Sequence, residues 1–579
     1  MTFKELADYF EKLEETSSRL TLIEILSELF KKVSPTEVPM VSYLIQGRVA
    51  PFYEATEIGM AEKNVAATIA RVYGVDREEV LKDYGRVGDL GKVALKLSQE
   101  SKVKSQGISV KEVFETLKEI AGYSGDGTVE KKVAALAGLL AKVDGIEAKH
   151  LVRIPLGTSR LGIGDPTVLD AFAVAKLGDK SQRKLLEGAY NRVSDLGLIG
   201  EKLWSGGLKA VENLQVTVGR PIRSQLAERL PTPKAILEKF DGSAHVQEKF
   251  DGFRVQIHKD GNKVRLFSRN LEETTPMFPD IIEGVLKQVK AKTAILDSEA
   301  LAYNPESNEF LPFQETTKRR RKHGIEEAAE STPLKAMVFD IMYVDGKSLM
   351  DLPVTERIKH LLKVVHGDDV LIPQPGEVTS SEERIQILFD QALTQGLEGL
   401  IVKRPDSKYE AGARNFNWVK QKRNSSGELK DTIDCVILGY IYGRGKRADL
   451  GAGALLVGIY DKDKDEFVTV SKIGTGLSDD EWREIHKRAD KIKVDHKPAR
   501  VNSIMEPSVW IRPEIVIEVL ADEITRSPNH TAGKDGDEPG YALRFPRLVK
   551  FRDADKKAED ATTVKELVEM YNTQFKKTK

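Results

Sequence analysis

The sequence is poor in cysteine and has no long apolar run. Cys435 is the single cysteine among 579 residues, which excludes an internal disulfide and any multi-cysteine zinc site. No apolar run approaches the roughly 20 residues that span a membrane, and the amino terminus lacks the apolar core of a secretion signal. We therefore expect a cytoplasmic protein without a membrane segment.

Net charge is also nearly absent. The chain carries 89 basic and 90 acidic residues, a formal net charge of -1, so the whole protein gives no nucleic-acid signal. Local basic clusters can still bind a phosphate backbone, because a footprint needs only one positive face. Residues 318–322 and 443–447 are two such clusters, and each is either a phosphate contact or a solvated loop.

The length and the hydrophobic pattern predict three domains. Apolar residues recur at helix spacing through residues 1–217, which predicts an all-α domain. Strands and helices mix through residues 218–423, which predicts an α+β domain. Short strands separated by turn residues fill 424–579, together with one internal helix and a carboxyl-terminal helix, which favours a small OB-type β-barrel. The predicted fold class is therefore multidomain α+β.

A glycine-rich segment in the helical region carries two arginines. Arg153 and Arg160 lie between residues 153 and 164, directly before a helix that Asp165-Pro166 begins and Gly178 ends. Backbone amides at a helix start can bind a phosphate. An ordinary turn between helices explains the same residues, and the sequence leaves both interpretations open.

The central stretch of the chain, residues 247–254, places a lysine at the end of a strand. Lys249 follows an apolar segment and precedes Asp251-Gly252, and the alternating strand after it ends at an Asp260-Gly261 hairpin. A lysine held among apolar walls and cations loses part of its preference for the charged form, and its neutral amine is a nucleophile. A chance Lys-x-Asp-Gly string in a hairpin is the alternative.

Other strands carry the groups that a nucleophilic lysine would need to attack a nucleotide α-phosphate. Such a reaction needs carboxylates for Mg²⁺, cations for the phosphate oxygens and an aromatic face for the base. Each candidate taken alone is more often structural, but together they form the parts of one site. Asp297 and Glu299 share one face of a strand, and Lys420 and Lys422 share one face of another strand. The other candidates are Phe339 and Glu398.

These motifs, in this order, resemble the nucleotidyl-transfer motifs of ATP-dependent DNA ligases. The similarity is greatest to the archaeal replicative type, which resembles the eukaryotic DNA ligase I group. The resemblance implies a helical DNA-binding domain at 1–217, an adenylation (nucleotidyltransferase) domain at 218–423 and an OB-fold domain at 424–579. The matching motifs are residues 249–254, 268–270, 297–299, 339–340, 398–403, 418–422 and 544–547.

The resemblance implies a role for each matching residue. Lys249 would be the catalytic residue that becomes adenylated, and Glu299 and Glu398 would serve the metal. The residues implied for binding the nucleotide are Gln247, Arg254, Arg269, Glu299, Phe339, Arg414, Lys420 and Lys422, with Arg544 and Lys556 orienting pyrophosphate.

One position departs from the family pattern. Gln247 stands where many members carry a glutamate that recognises the adenine amino group. The amide oxygen of Gln247 can accept the same hydrogen bond, so adenine binding is retained. The amide also offers donors, so the use of ADP or NAD in place of ATP stays open.

The activity implied by the resemblance is the sealing of nicks in duplex DNA during replication, repair and recombination. The cofactors would be ATP and Mg²⁺, with Mn²⁺ as an alternative ion, and the intermediates a lysyl-AMP and a DNA-adenylate. We expect a monomer that acts on nicked double-stranded DNA, with a sliding clamp as a partner.

Three alternatives remain for comparison. An RNA ligase or a capping enzyme shares the lysine chemistry but is disfavoured by the long helical region before Lys249. An NAD-dependent ligase is disfavoured because Cys435 stands alone and no four-cysteine zinc site can form. A non-catalytic DNA scaffold would have no need of Lys249, Glu299, Glu398 and Lys420 together.

Overall fold

A computed structural model gives the structure of the chain. It describes residues 1–101, 103–304, 309–311, 316, 319, 321, 324–394, 397–422, 432–442, 451–474, 477–521, 523–536, 538–544, 546–552 and 556–573. The chain divides into two compact units, Met1–Lys422 and Arg423–Lys579, which are treated separately below. None of the helices in these described ranges is long and apolar enough to cross a membrane.

The first unit begins with a helical region, as the hydrophobic pattern predicts. In α1, Phe3, Leu6 and Phe10 are buried, and Thr2 caps the helix with Glu5 in a reciprocal capping box. The helices are α1 (Phe3–Glu14), α2 (Arg19–Lys32), α3 (Val38–Ile45), α4 (Glu62–Tyr73), α5 (Arg77–Val87), α6 (Leu90–Ser101), α7 (Val110–Gly122), α8 (Thr128–Leu140), α9 (Gly145–Arg153), α10 (Asp165–Leu177), α11 (Arg183–Val193) and α12 (Leu196–Glu212). Gly178 ends α10 at a φ of 91°, as the sequence predicts.

The two arginines before α10 are engaged within the helical region. Arg153 is buried and pairs with Asp89 and with Glu14, the latter at 2.7 Å. Arg160 donates to the backbone oxygen of Gly88 at 2.6 Å. Both guanidinium groups therefore hold the turn to its neighbours, while phosphate binding by the backbone amides before α10 stays a prediction.

The remainder of the first unit mixes strands and helices. The helices are α13 (Pro233–Lys239), α14 (Pro279–Gln288), α15 (Ile325–Ser331), α16 (Val354–Val364) and α17 (Glu382–Thr394). The strands are β1 (Leu226–Arg229), β2 (Ala244–Lys249), β3 (Phe253–Asp260), β4 (Lys263–Ser268), β5 (Thr293–Asn304), β6 (Glu309–Phe310), β7 (Leu334–Val344), β8 (Lys347–Ser348), β9 (Leu371–Pro373), β10 (Glu377–Thr379), β11 (Gly399–Lys403) and β12 (Arg414–Lys422). The domain boundary expected at residue 217 falls between α12 and β1.

Two sheets organise these strands. The first sheet has the order β1-β12-β11-β2-β10, and the second has the order β4-β3-β5-β7-β8, with β6 and β9 joined to β5 and β7. The chain passes from the first sheet to the second between Lys249 and Phe253. Gly252 makes this passage possible, since a Cβ there would lie 2.4 Å from the backbone oxygen of Ala300. The close approach brings the end of β2 against β5.

The second unit is rich in strands around one buried helix face. Trp482 and Ile485, on the helix Asp479–Asp490, are fully buried in the core of this unit. The described elements are β13 (Ile433–Ile441), β14 (Ala454–Asp461), β15 (Glu466–Ile473), α18 (Asp479–Asp490), β16 (Lys493–Val494), β17 (Val501–Asn502), β18 (Val509–Ile511), β19 (Val516–Leu520), β20 (Glu523–Ser527), β21 (Gly540–Arg544), β22 (Arg547–Phe551) and α19 (Val564–Thr573). This composition agrees with the strand-rich carboxyl-terminal domain predicted from the sequence.

The basic clusters named from the sequence fall partly outside the described residues. Residues 443–447 lie wholly outside them, as do three residues of 318–322. Arg319 is described and is buried, with its guanidinium donating to both oxygens of Asp280 at 2.9 and 3.1 Å. A phosphate contact by Arg319 is therefore wrong, because its charge is neutralised inside the fold.

Candidate active site

The first sheet aligns the basic side chains of the site on one face. Lys249 of β2 is in register with Gly399 of β11, which is in register with Lys422 of β12. Gln247 and Lys420 align in the same way through Ile401. Residues in register on neighbouring strands share a face of the sheet, and so do residues two apart along one strand. These four side chains therefore lie on one surface.

Lys249 contacts a carboxylate that holds a second lysine. Its Nζ donates to one oxygen of Glu398, and Lys422 Nζ donates to the other oxygen. The backbone N–H of Glu398 donates to the backbone oxygen of Lys249 at 3.0 Å, which fixes the two residues side by side. Glu398 therefore pairs with two cations, although its single negative charge balances only one of them, and it is positioned by the same strand pair that positions Lys249.

Glu299 lies across from Lys249 on the second sheet. Its Oε1 accepts a hydrogen bond of 3.2 Å from the backbone N–H of Gly252, in the passage between the sheets. Burial raises the pKa of Glu299 to about 7, although the nearby charges of Lys249 and Arg254 lower it. Because burial disfavours the ionised form of Glu299, a bound cation would stabilise that form.

Arg254 is held by a carboxylate that the sequence placed beside Glu299. It donates to both oxygens of the fully buried Asp297, at 3.0 and 2.6 Å, and to the backbone oxygen of Gln225 at 3.0 Å. Tyr409 donates to the same carboxylate at 2.8 Å. Asp297 therefore serves Arg254, and the contact of Arg254 with ribose and phosphate stays a prediction.

Phe339 lies between cations and another aromatic ring. The guanidinium of Arg254 is 5.3 Å and the amine of Lys403 is 5.1 Å from the ring centroid, and Trp418 meets the ring edge-on at 6.2 Å. Phe339 is half-buried, so part of its side chain remains accessible. An accessible aromatic side chain of this kind is suited to stacking on a nucleotide base.

A buried charge network lies directly behind Phe339. Asp340 accepts two hydrogen bonds from Arg357, at 2.8 and 2.9 Å, and lies 3.5 Å from the Lys403 amine. All three side chains are fully buried. Although burial opposes it, Arg357 and Lys403 lower the pKa of Asp340 to about 2, while burial lowers the pKa of Lys403 to about 8. Lys403 also donates to the backbone oxygen of Phe339 at 2.9 Å, which fixes the strand under the aromatic ring.

Gln247 presents a buried acceptor without a partner. Its Nε2 donates to the backbone oxygens of Gln374 and Phe339, at 2.8 and 3.3 Å, and these two contacts fix the orientation of the amide. Its Oε1 is buried and has no hydrogen-bond partner within the described structure. A buried unpaired acceptor is costly, so a ligand that donates a hydrogen bond there is favoured.

Three predicted phosphate-binding cations have no acidic partner. Within the described ranges, Arg269, Arg414 and Lys420 form no ion pair. They are close enough to interact, since burial first and then Lys249, Arg414, Arg269 and Arg229 lower the pKa of Lys420. Lys420 therefore lies in a positive environment that an anion would relieve.

The two predicted metal ligands are both carboxylates near the lysine. Hard cations such as Mg²⁺ take oxygen ligands. The buried carboxylate of Glu299 lacks enough positive charge around it to stay ionised, and such an ion would supply it. Glu398 is occupied by Lys249 and Lys422, and loss of the Lys249 charge would free one of its oxygens. The donor set therefore fits a divalent cation that also binds oxygens of its substrate.

The structure thus assembles most of the predicted residues but adds several that the sequence did not single out. Lys249 contacts Glu398 and interacts electrostatically with Glu299 and Lys420, and Gln247 donates a hydrogen bond to the backbone oxygen of Phe339. Arg357 and Tyr409 were missed, although Arg357 occupies the apolar face of α16 beside Ile358, which is a signal of a buried ion pair. Arg544 and Lys556 belong to the second unit, where Lys556 pairs with Asp434.

Comparisons with known proteins agree with this arrangement. A family model described as ATP dependent DNA ligase domain matches residues 224–422. Models described as DNA ligase N terminus and ATP dependent DNA ligase C terminal region match residues 2–173 and 448–556. Together these three regions cover most of the chain and contain every residue of the candidate site.

Relatives of similar length extend over the whole chain. A protein of Dictyoglomus turgidum named "Probable DNA ligase" is 48% identical over 576 residues, covering 100% of this chain and 98% of its own length. The DNA ligase of Sulfolobus acidocaldarius is 40% identical over 592 residues, covering 100% and 99%. A solved structure named Pmar-Lig_PreS3 covers 94% of this chain and 99% of its own, with 17% identity and a TM-score of 0.52, a likeness of fold.

Proposed function

The chain belongs to the ATP-dependent DNA ligases, enzymes that join DNA strands, and we propose that Lys249 is the residue that carries the adenylate in this reaction. The observation that carries this proposal is the position of its amine. Lys249 lies at the end of β2, between a carboxylate that accepts its hydrogen bond and cations that no carboxylate neutralises. A nucleophile beside an unneutralised positive surface is suited to attack on a phosphate.

The attack requires a neutral amine, so one proton must leave Lys249 Nζ. The carboxylate of Glu398 is in hydrogen-bonding contact with this amine and can accept that proton and pass it to water, which leaves Glu398 ionised. The Nζ–phosphorus bond then forms as the bond between the α-phosphorus and the pyrophosphate oxygen breaks, and the nitrogen loses its second proton to the departing pyrophosphate or to water. The adenylated nitrogen is then uncharged, and Glu398 keeps only Lys422 as its cationic partner.

The remaining residues bind and orient the nucleotide. The unpaired Oε1 of Gln247 is a suitable acceptor for the adenine amino group, and Phe339 supplies the stacking surface. Arg269, Arg414 and Lys420 balance the charge of the phosphates. Gln247, Phe339, Arg414 and Lys420 lie on strands, which fix these groups before the substrate arrives, whereas Arg269 lies in the turn after β4.

Glu299 and Glu398 would hold Mg²⁺. The ion, when bound, supplies positive charge to the phosphate oxygens. Glu299 is ready for this role because burial already disfavours its ionised form without a cation. Glu398 would exchange its contact with Lys249 for the ion once the amine is no longer charged.

The later steps would use nicked double-stranded DNA. The adenylate would pass from Lys249 to a 5′-phosphate at the nick, and the 3′-hydroxyl would then displace AMP. The amino-terminal helical domain (1–217), the adenylation domain (218–423) and the OB-fold domain (424–579) would together bind the duplex. A cytoplasmic monomer that works with a sliding clamp completes the proposal.

The first experiment tests adenylation without DNA. We would incubate the protein with Mg²⁺ and α-labelled ATP and look for label that stays on the denatured chain and is released by mild acid. Lys249→Arg keeps the positive charge but removes the nucleophile, so it should bind nicked DNA and carry no label. Lys263→Arg, on the exposed hairpin between β3 and β4, is the matched control and should label normally.

Label on Lys249→Arg equal to that on the wild type would contradict the assignment of the nucleophile. ADP and NAD, supplied in parallel, test the donor preference at Gln247. Label from ATP alone supports a strict ATP enzyme, whereas label from either other donor would show that the amide at position 247 relaxes this choice. No label on the wild type from any donor would favour a DNA-binding scaffold.

A further inference from the structure

A row of cations runs across the first sheet, beginning at the reacting lysine. In the order β2, β11, β12 and β1, the row passes from Lys249 to Lys422 and Lys420 and ends at Arg229. Arg229 is the last residue of β1 and is directly in register with Lys420. Adjacent residues in register point to the same side of a sheet, so Arg229 belongs to the same face as the site.

Arg229 differs from three other arginines of this unit in having no counter-charge among the described residues. Arg254, Arg319 and Arg357 each donate to both oxygens of a carboxylate. Arg229 is exposed, and no hydrogen bond or ion pair of its side chain is present in the part of the chain that the structure describes. It is not needed to neutralise an acid, so its charge is available to a ligand.

The neighbours of Arg229 make its surroundings repulsive in the absence of an anion. Arg269, Arg414 and Lys420 also lack an acidic partner within the described ranges. Arg229 is one of the four cations that oppose the charged form of Lys420. Like charges gathered on one face cost free energy, and an anion of several charges removes that cost. The surface therefore favours a polyanion rather than a single phosphate.

We propose that Arg229 binds the terminal phosphates of ATP and the pyrophosphate that leaves from it. This inference rests on the proposed adenylation of Lys249, which places the α-phosphate at the β2 end of the row. Strands lie about 4.8 Å apart, so the row from β2 to β1 spans about 14 Å of backbone, which long side chains on both strands can close around a triphosphate. The planar guanidinium suits two phosphate oxygens at once.

The reverse of the adenylation step isolates this contact. When pyrophosphate attacks adenylated Lys249, the nitrogen–phosphorus bond breaks and a new phosphorus–oxygen bond forms. The nitrogen regains one proton as it leaves phosphorus and a second from water to become the charged amine again, and ATP leaves. This reaction needs no DNA and binds pyrophosphate directly, so the concentration of pyrophosphate that half-discharges the enzyme reports on the proposed contact.

The experiment compares Arg229→Ala with the wild type, using the full-length protein adenylated in advance. We expect the half-discharging pyrophosphate concentration, and the ATP concentration for half-maximal adenylation, to rise about 10- to 100-fold, the effect of one hydrogen bond to a charged group. Arg229→Lys should lose less than Arg229→Ala. Arg77→Ala, an exposed arginine in α5, is the control and should match the wild type.

A second measurement distinguishes ATP from DNA as the source of the phosphate. Pre-adenylated Arg229→Ala should seal a nick, without added ATP, at the rate of the wild type. If sealing falls while the pyrophosphate dependence is unchanged, Arg229 contacts the DNA backbone and the proposal is wrong. If neither changes, Arg229 is a solvated surface residue and the proposal is equally wrong.

Failure of the proposed function would look different. In that case the wild-type protein itself would form no adenylate on Lys249, and no variant could be charged for the assay. Full adenylation of Arg229→Ala at saturating ATP shows that the variant is folded, so a change in its pyrophosphate dependence reports binding.

Discussion

Glu299 is predicted to destabilise the free protein at alkaline pH. Its carboxylate is buried against the passage between the sheets, and its pKa rises from 4.5 to about 7 because burial disfavours the charged form. Glu299→Gln keeps the shape of the side chain and an oxygen for the Gly252 N–H, but removes the titratable charge. We expect the variant to be more stable than the wild type at pH 8 in the presence of EDTA.

The size of the effect follows from the two pKa values. The unfolded chain releases the Glu299 proton above pH 4.5 and the folded chain only near pH 7, so folding stability falls as the pH rises between these values. A shift of this size corresponds to a ceiling of about 3 kcal/mol. Since the side chain is half-buried and water screens part of its charge, we expect about 1 to 2 kcal/mol.

Urea unfolding at pH 8 and at pH 4.5, followed by tryptophan fluorescence, measures the difference. The stabilisation of Glu299→Gln should be present at pH 8 and small at pH 4.5, where the folded wild type holds the proton and the unfolded chain has lost it in only about half of its molecules. Glu283→Gln, at an exposed carboxylate on α14, is the control and should change neither midpoint.

An equal gain at both pH values, or a loss of stability at pH 8, would refute this reasoning. The first result would show that packing rather than charge is responsible. The second would show that the ionised carboxylate is satisfied in the free protein, for example by Lys249 and Arg254. The same variant should adenylate poorly if Glu299 serves Mg²⁺, so that stability and activity change in opposite directions.

Two further predictions concern the supports of the site. Asp340→Asn leaves Arg357 and Lys403 buried without a carboxylate and should cost about 3 to 5 kcal/mol in urea unfolding at pH 7. Because the pKa of Asp340 is lowered from 3.8 to about 2, this deficit should shrink as the pH falls through that range. Gly252→Ala places a Cβ 2.4 Å from the Ala300 oxygen, and should cost about 1 to 3 kcal/mol and slow adenylation of the intact lysine in the labelling assay.

Local patterns correctly predicted that Lys249 lies at the end of a strand. The alternation after Lys249 and the Asp260-Gly261 pair form β3 and its hairpin to β4, and Lys249 is the last residue of β2. Asp297 and Glu299 share a strand face, as residues two apart must. These features depend on neighbours in sequence, which is why the sequence alone predicts them.

The pairing of charges was not predictable in the same way. Arg254 and Asp297 are far apart in sequence and meet because β3 and β5 are adjacent strands. Arg357 reaches Asp340 only because α16 packs against β7. Arg153 and Arg319, both considered for phosphate contacts, are instead neutralised by acids from other elements. A basic residue in a sequence does not reveal whether an acid lies opposite it.

The sequence by itself determined the element types, the order of the motifs and the family, and it singled out the lysine that we propose as the nucleophile. Hydrophobic periodicity and residue spacing carry that information because they act over one strand or one helical turn. Only the tertiary structure decided which cations lie against a carboxylate and which have none among the described residues, separating Arg254 from Arg229 and Asp297 from Glu299. The physical reason is that charge interactions depend on distance and burial, and both are set by strands that come together from distant parts of the chain.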